Sequence, residues 1–410
     1  MSETPASGSG GRSRRSFTQQ EPIDEAAIEA AVRVLRSGRL HRYNVEPGEV
    51  AEAALLEADY ARWQGARFCL ACASGGYAMA TALRAAGLRP DEPVLTNGFT
   101  LAPVPGAIVG AGGRPVLVEI TEDLVLDLAD LETKIASSGA RFLLLSNMRG
   151  HLTDMNRLGA VLARHGVALI EDCAHTMGAT WNGRKSGSFG LAGCFSTQTY
   201  KHLNSGEGGL LVSDDPAFMA RATMLSGSYM LYGRHGAGPD PDVFAEIRLD
   251  TPNMSGRMDN LRAAILRPQI ARLDENIRRW NERYRAVQGE LVRAAPPLRV
   301  ITRPPAEGFV GSSIQFLVPG IAPAEAEGFV AALVAKGIEV KWFGAAEPVA
   351  FTSTHRSWRY VAAQPLPRTD RILSGLFDMR LPLTFSAVDC EEIGRGIADA
   401  AMQLGLRSVA

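Results

Sequence analysis

Residues 170–214 read IEDCAHTMGATWNGRKSGSFGLAGCFSTQTYKHLNSGEGGLLVSD. Three short apolar runs, 167–171, 191–196 and 209–213, carry the pattern of buried strands. The first runs into Asp172 and the second ends on Ser196. Lys201 follows five residues later, then Asn204-Ser205-Gly206-Glu207-Gly208-Gly209. In open α/β sheets, ligands gather at the carboxyl ends of strands. An acid at one strand end can pair with a protonated ring nitrogen. A serine at the next can meet a phosphate, and an amine on the following loop can condense with an aldehyde. The glycines allow backbone to approach a ligand closely. Each feature also has a plainer reading: Asp172 as a helix cap or structural ion pair, Lys201 as a surface lysine, the glycines as a hairpin turn.

Lysine is scarce. Of 43 basic residues only Lys134, Lys185, Lys201, Lys336 and Lys341 are lysines, so arginine supplies generic positive charge. A lysine then raises the question of what an amine does that a guanidinium cannot, and imine formation is one answer. Pyridoxal 5'-phosphate (PLP) would use all three groups, because an acid on its pyridine nitrogen keeps the ring an electron sink. Upstream, Ala73-Ser74-Gly75-Gly76 lies between a predicted strand and a predicted helix, where free N–H groups can hold a phosphate. Taken alone, that turn resembles many others.

Outward from this centre the pattern is α/β. Strands are expected over 67–73, 93–96, 115–118, 142–146 and 167–171, with helices over 76–86, 103–110 and 155–165. Strands apolar throughout and separated by helices imply a parallel sheet buried on both faces. The strands at 191–196 and 209–213 continue the series with only loops between them, which makes it a mixed sheet. Helices are also expected over 23–37 and from 50 to 57. A long helical stretch over 258–292, broken near Pro268, leads to a smaller α+β unit with strands at 313–318 and 338–342 and helices at 323–336 and 389–402. The proposed organisation is a disordered tail (1–16), a large domain with N-terminal helices (17–275) and a small C-terminal domain (276–410).

The formal net charge of -1 on 410 residues gives no electrostatic reason to bind nucleic acid or an anionic membrane. No apolar run reaches the length of a membrane span, and residues 1–16 lack the apolar core of a signal peptide. Of the five cysteines, Cys69, Cys72, Cys173, Cys194 and Cys390, four lie in apolar, strand-like surroundings where a free thiol behaves as a small hydrophobe, and no second Cys-x-x-Cys completes a zinc site with Cys69 and Cys72. A cytoplasmic location is expected. His151, His165 and His235 lack metal-ligand spacing, so no metal is expected.

Taken together, Glu171-Asp172-Cys173-Ala174-His175, Gly178-Ala179, Gly187, Phe189-Gly190, Phe195-Ser196, Lys201 and Gly206-Glu207-Gly208-Gly209 resemble the signature of the DegT/DnrJ/EryC1/StrS family of PLP-dependent sugar aminotransferases. Arg257 with Ala263-Ala264, and Leu381-Pro382-Leu383, resemble later segments of that family. The resemblance implies the type I fold of PLP-dependent transferases, the aspartate-aminotransferase fold, and a homodimer whose partner chain completes each site. It implies that Lys201 carries PLP as a Schiff base and shuttles protons, that Asp172 pairs with the pyridine nitrogen, and that His175 lies against the cofactor. Ser196, Ser74, Gly75 and Gly76 would hold the phosphate. The implied reaction moves an amino group from glutamate or glutamine to a keto group of a sugar, nucleotide-linked, or of an aminocyclitol precursor.

Three positions depart from the family pattern. Gly76 stands where threonine is usual. Leu101 follows Thr100 where an aromatic residue normally stacks on the ring, so Leu101, Phe99 or Tyr77 must cover it. Ser255, with Asn253 two residues earlier, occupies the slot of the asparagine that reaches the partner's phosphate. Two other readings are weighed against transamination. Deoxygenating relatives replace the lysine by histidine, whereas here His202 follows an intact Lys201. A PLP-fold regulator would lack a catalytic role.

Overall fold

The computed structural model describes residues 15–294 and 297–406; the expected tail lies, up to residue 14, outside the described residues. Helices α1 (Glu25–Ser37) and α2 (Glu52–Gln64) precede β1 (Phe68–Cys72), α3 (Gly75–Ala85), β2 (Pro93–Asn97), α4 (Pro103–Gly110), β3 (Arg114–Val118), α5 (Leu128–Ser138), β4 (Phe142–Ser146), α6 (Met155–His165) and β5 (Ala168–Asp172). A short hairpin, β6 (Thr180–Trp181) and β7 (Arg184–Lys185), then leads to β8 (Ala192–Ser196), β9 (Gly209–Ser213) and α7 (Pro216–Ser226). Helix α2 runs seven residues beyond its expected end, to Gln64, and Gly65, with a φ of 81, closes it in the left-handed region.

Seven strands form one sheet in the order β1-β9-β8-β5-β4-β2-β3. The neighbours from β8 to β3 pair in parallel, and β9 runs antiparallel to both β8 and β1. This is the mixed sheet expected. β1, β4 and β9 are buried along their whole length, since helices cover both faces: α3, α4 and α7 on one side, and on the other α5 and α6 over β4 and α2 over β1 and β9.

The chain continues through α8 (Asn260–Leu266), a 3-10 turn at Arg267–Arg272 containing Pro268, and α9 (Leu273–Ala294). Proline lacks the N–H needed inside a helix, so it breaks the expected helical stretch here. A four-stranded antiparallel sheet follows, with β10 (Arg299–Val300), β12 (Ser313–Leu317), β13 (Lys341–Trp342) and β14 (Leu376–Arg380) in the order β10-β12-β14-β13. β11 (Glu307–Gly308) instead joins the β6–β7 hairpin. The expected strand over 338–342 shortens to Lys341 and Trp342, the two residues that pair with β14. Helices α10 (Pro323–Ala335), α11 (Pro367–Ser374) and α12 (Ala387–Gln403) complete this part. Its core joins Phe316, Phe329 and Phe377 to Val287 of α9 and Ile393 of α12. Phe17, at the start of the proposed large domain, packs into this C-terminal core edge-on to Phe385 at 4.9 Å.

One buried ion pair fixes the approach to β1. Arg42 donates from both terminal nitrogens to Glu57, at 2.7 and 2.8 Å. Glu57 also accepts the Ala71 N–H of β1 at 2.8 Å. His235 lies 3.2 Å from Glu57 Oε2 and bonds the Tyr43 hydroxyl at 2.9 Å. Burial opposes the Glu57 charge, but Arg42 and His235 outweigh it and hold its carboxyl at about 2. A folded-state value below the ordinary 4.5 gives stability that is full above that value and lost as pH falls toward 2. Glu57→Gln leaves Arg42 buried without a counter-charge and should destabilise the protein by about 3–5 kcal/mol at neutral pH. The loss should shrink on acidification, read as denaturant midpoints of both proteins across pH. Equal midpoints at neutral pH would refute it.

Candidate active site

The parallel register sets Ser146 beside Asp172 and Asp172 beside Cys194, so three strand ends meet at one edge of the sheet. Asp172 is buried. Its Oδ1 accepts the Ala174 N–H at 3.1 Å, and its Oδ2 accepts the Ser146 hydroxyl at 3.1 Å. Ser146 is itself fixed. Thr100 donates to its Oγ at 2.7 Å, and Asn97 bonds its backbone C=O and N–H at 2.7 and 3.0 Å. Burial pushes the Asp172 carboxyl up, while the Ala174 N–H, the Lys201 charge and the Ser146 hydroxyl pull it back. A buried carboxylate of this kind binds most strongly to a cation or an N–H presented from the cavity.

That cavity has a volume of about 340 Å³ and is lined by Asp172, His175, Ser196 and Lys201 together with Ser74, Gly75, Gly76 and Leu101. Lys201 Nζ lies 2.8 Å from His175 Nε2. Burial lowers the lysine to about 7, helped by the charge of Arg149 and opposed by Asp172. Burial, then the Lys201 and Arg149 charges, hold the His175 ring well below 6.5, so it is neutral. Its Nδ1 accepts from the Arg149 backbone N–H at 3.4 Å. That assigns the ring proton to Nε2, which can donate to the unprotonated form of the Lys201 amine. At about 7 a large share of that amine is unprotonated, and so nucleophilic, at neutral pH.

At the other end, Ser74 caps α3 by accepting the Tyr77 N–H at 3.0 Å. The Gly75 and Gly76 N–H groups have no helical partner. A Cβ at Gly75 would lie 2.9 Å from the Ser196 Cβ, so glycine lets the serine close on the helix start. Two free N–H groups, a hydroxyl and the positive end of a helix form an anion cradle. Amine, carboxylate and cradle fit the aldehyde, ring nitrogen and phosphate of PLP.

Other expected residues lie elsewhere. Phe99 is buried edge-on to Phe343 at 5.1 Å. Tyr77 packs on Gly256 and donates its hydroxyl to the Leu225 carbonyl at 3.1 Å. Of the three residues weighed for covering the ring, only Leu101 lines the cavity. Asn253 and Ser255 sit on an exposed loop outside it, where Asn253 Oδ1 accepts the Ser255 N–H at 2.9 Å and Ser255 has a φ of 49. All five cysteines are buried thiols, and among the described residues no three His, Cys, Asp or Glu side chains form a metal-binding group. No helix of the described residues is long and apolar enough to cross a membrane.

The sequence reading missed Ser146, Arg149, Tyr200, Phe351 and Arg380, which also line the cavity. Ser146 ends a predicted strand just as Asp172 does, so the strand-end rule could have found it. Arg380 and Phe351 come from the C-terminal part and carry no local motif. Lys341, bonded to Asp378 at 3.4 Å, was within reach of the lysine-scarcity argument that singled out Lys201.

The model of the DegT/DnrJ/EryC1/StrS aminotransferase family matches residues 21–397. The L-glutamine:2-deoxy-scyllo-inosose aminotransferase of Streptoalloteichus tenebrarius is 33% identical over 259 residues, 62% of this chain and 60% of that protein. A pleiotropic regulatory protein of Geobacillus stearothermophilus is 32% identical over 234 residues, 56% of this chain and 58% of that protein. The chain thus spans about three fifths of the length of these curated relatives. Among solved structures, 3-amino-5-hydroxybenzoic acid synthase superposes with a TM-score of 0.80 at 24% identity, covering 95% of this chain and 99% of that one. S. venezuelae DesV gives 0.77 at 25% identity, covering 92% and 94%. The fold is the type I fold of PLP-dependent transferases, PLP is the cofactor that the family and the cavity call for, and the chain belongs to the DegT/DnrJ/EryC1/StrS aminotransferase family.

Proposed function

We propose that the protein is a PLP-dependent aminotransferase that takes an amino group from L-glutamine or L-glutamate. It passes that group to the keto group of a sugar, nucleotide-linked or free, or of an aminocyclitol precursor. The observation that carries this reading is the Lys201 amine, held at about 7 and 2.8 Å from a neutral histidine, beside a buried acid at the adjoining strand end. The donor is suggested by relatives named for L-glutamine.

Bound in the cavity, PLP supplies an electron sink that acidifies the donor's Cα–H. Asp172 holds a proton on the ring nitrogen through a carboxylate fixed by Ser146 and Ala174. Ser196 and the Gly75 and Gly76 N–H groups would hold the phosphate, and Leu101, in the cavity wall, would pack on the ring and exclude water. Lys201 Nζ would take the donor's Cα proton and deliver it to the carbon that was the cofactor's aldehyde, two atoms along, and the acceptor half-reaction would reverse the sequence. His175 orients Nζ between transfers. An intact Lys201 favours transamination over deoxygenation, and a purely regulatory scaffold has no use for a buried neutral amine.

The assembly we infer is a homodimer in the cytoplasm, in which Asn253 and Ser255 of one chain reach the phosphate held by the other. Mixing inactive Lys201→Ala with a weakened Asn253→Ala, Ser255→Ala double variant should then restore activity, because one hybrid site is intact. No gain over the separate variants would sink the shared site. For the reaction itself, PLP-loaded protein incubated with L-glutamine or L-glutamate should yield pyridoxamine phosphate and the 2-oxo acid in equal amounts. Asp172→Asn should slow that conversion at least about 100-fold. Loaded wild-type protein that yields no pyridoxamine phosphate with any amino donor would overturn the proposal.

A further inference from the structure

The wall of the cavity opposite the phosphate cradle is unusually cationic. Residues 378 and 380 lie on one face of β14, by the two-residue period of a strand. Asp378 is fully buried and its oxygens are committed: Oδ1 accepts from Gln315 Nε2 at 2.8 Å, and Oδ2 faces Lys341 Nζ at 3.4 Å and Arg149 Nη2 at 2.9 Å. Arg149 Nε and Nη2 nonetheless find no hydrogen-bond acceptor of good geometry. Arg149 is buried and held on a turn with a φ of 54. Arg380 lies over the Tyr200 ring at 3.8 Å and the Phe351 ring at 5.5 Å. Arg380 itself has no ion pair among the described residues. Arg149 and Lys341 share Asp378, so the three cations of this wall stand against one carboxylate, which leaves an excess of two positive charges.

Other charges near the cavity do not cancel that excess. Asp172 serves the ring-nitrogen end, and Glu207 is exposed at the rim. Cation–π contact with the Tyr200 and Phe351 rings holds Arg380 in the cavity wall and leaves N–H groups of its fork to an anion. A carboxylate matches that fork, as a phosphate does.

This argument rests on the aminotransferase reading, in which donor and acceptor occupy the same space in turn. The donor brings an α-carboxylate and takes it away as a 2-oxo acid. A neutral acceptor would then leave the half-buried Arg380 guanidinium without an anion, and the buried Arg149 with only its share of Asp378, which is costly. We propose that the keto acceptor itself carries a carboxylate, bound by Arg380 with Arg149, so that the substrate class is a keto-sugar acid or a carboxylated cyclic ketone.

The test uses the pyridoxamine-phosphate form, made with the amino donor, and two matched probes, 3-oxocyclohexanecarboxylate and its uncharged carboxamide. Competitive binding of both, with uridine diphosphate as a third ligand, is measured on wild type, Arg380→Gln and Arg380→Lys. The carboxylate should bind at least about tenfold tighter than the carboxamide, about 1.4 kcal/mol. Arg380→Gln should bring that ratio close to one, and Arg380→Lys should restore part of it. Equal binding of the two probes by wild type, or a ratio untouched in Arg380→Gln, would overturn the proposal. So would Arg380-dependent binding of uridine diphosphate that outcompetes the carboxylate, since the anion would then be a diphosphate. Failure to make the amine form would count against the aminotransferase reading instead.

Discussion

A single buried carboxylate organises this molecule. Asp172 sits at the carboxyl edge of β5, out of water, and survives there only because the sheet brings it donors. The parallel register delivers the Ser146 hydroxyl, and the chain's own turn delivers the Ala174 N–H. Asn97 and Thr100 then fix Ser146 from the end of β2 and the loop beyond it. A charge in such surroundings acts at full strength on whatever enters the cavity, because little water remains to screen it. Moving the register by one residue would turn the acid to the other face of the sheet and leave the cavity without it.

Lys201 depends on the same arrangement from the opposite direction. Burial strips its amine of the solvation that keeps an ordinary lysine charged, and Arg149 repels a proton that Asp172 attracts. The balance falls near neutrality, and the neutral His175 ring completes it at 2.8 Å. The two parts of the chain divide the labour. The seven-stranded sheet and α3 supply the acid, the amine and the anion cradle. The C-terminal sheet supplies Asp378 and Arg380, and Arg149 reaches across from the turn after β4 to pair with Asp378. Cofactor chemistry is thus built by one part, and the charge that selects a substrate is shared between the two.

What could be read from the sequence follows from how local each feature is. The central strands were legible because both of their faces are apolar, and the strand ends then pointed to Asp172, Ser196 and Lys201. Helices α5 and α7 went unseen although each opens on a capping aspartate, Asp127 or Asp215, and closes on a left-handed glycine, Gly139 or Gly227. In α7, buried nearly all round, the intervening residues hide the period, whereas in α5 Leu128, Leu131 and Ile135 keep it and the helix was open to detection. The short strand β14 and the aromatic clasp around Arg380 depend on Tyr200, Phe351 and Arg380, far apart in sequence, meeting in space. No spacing encodes that meeting. Phe17 joining the C-terminal core is the same kind of event, since its partner Phe385 is set by tertiary packing alone.

The account stands or falls on Lys201 as the point of cofactor attachment. The direct measurement is reduction of the PLP-loaded protein with borohydride, followed by peptide mapping of the reduced pyridoxyl group. The account predicts one labelled peptide, with the label on Lys201, and no label in Lys201→Ala. A label on Lys341, Lys185 or any other lysine, or an unlabelled protein that has nonetheless taken up the cofactor, would contradict it.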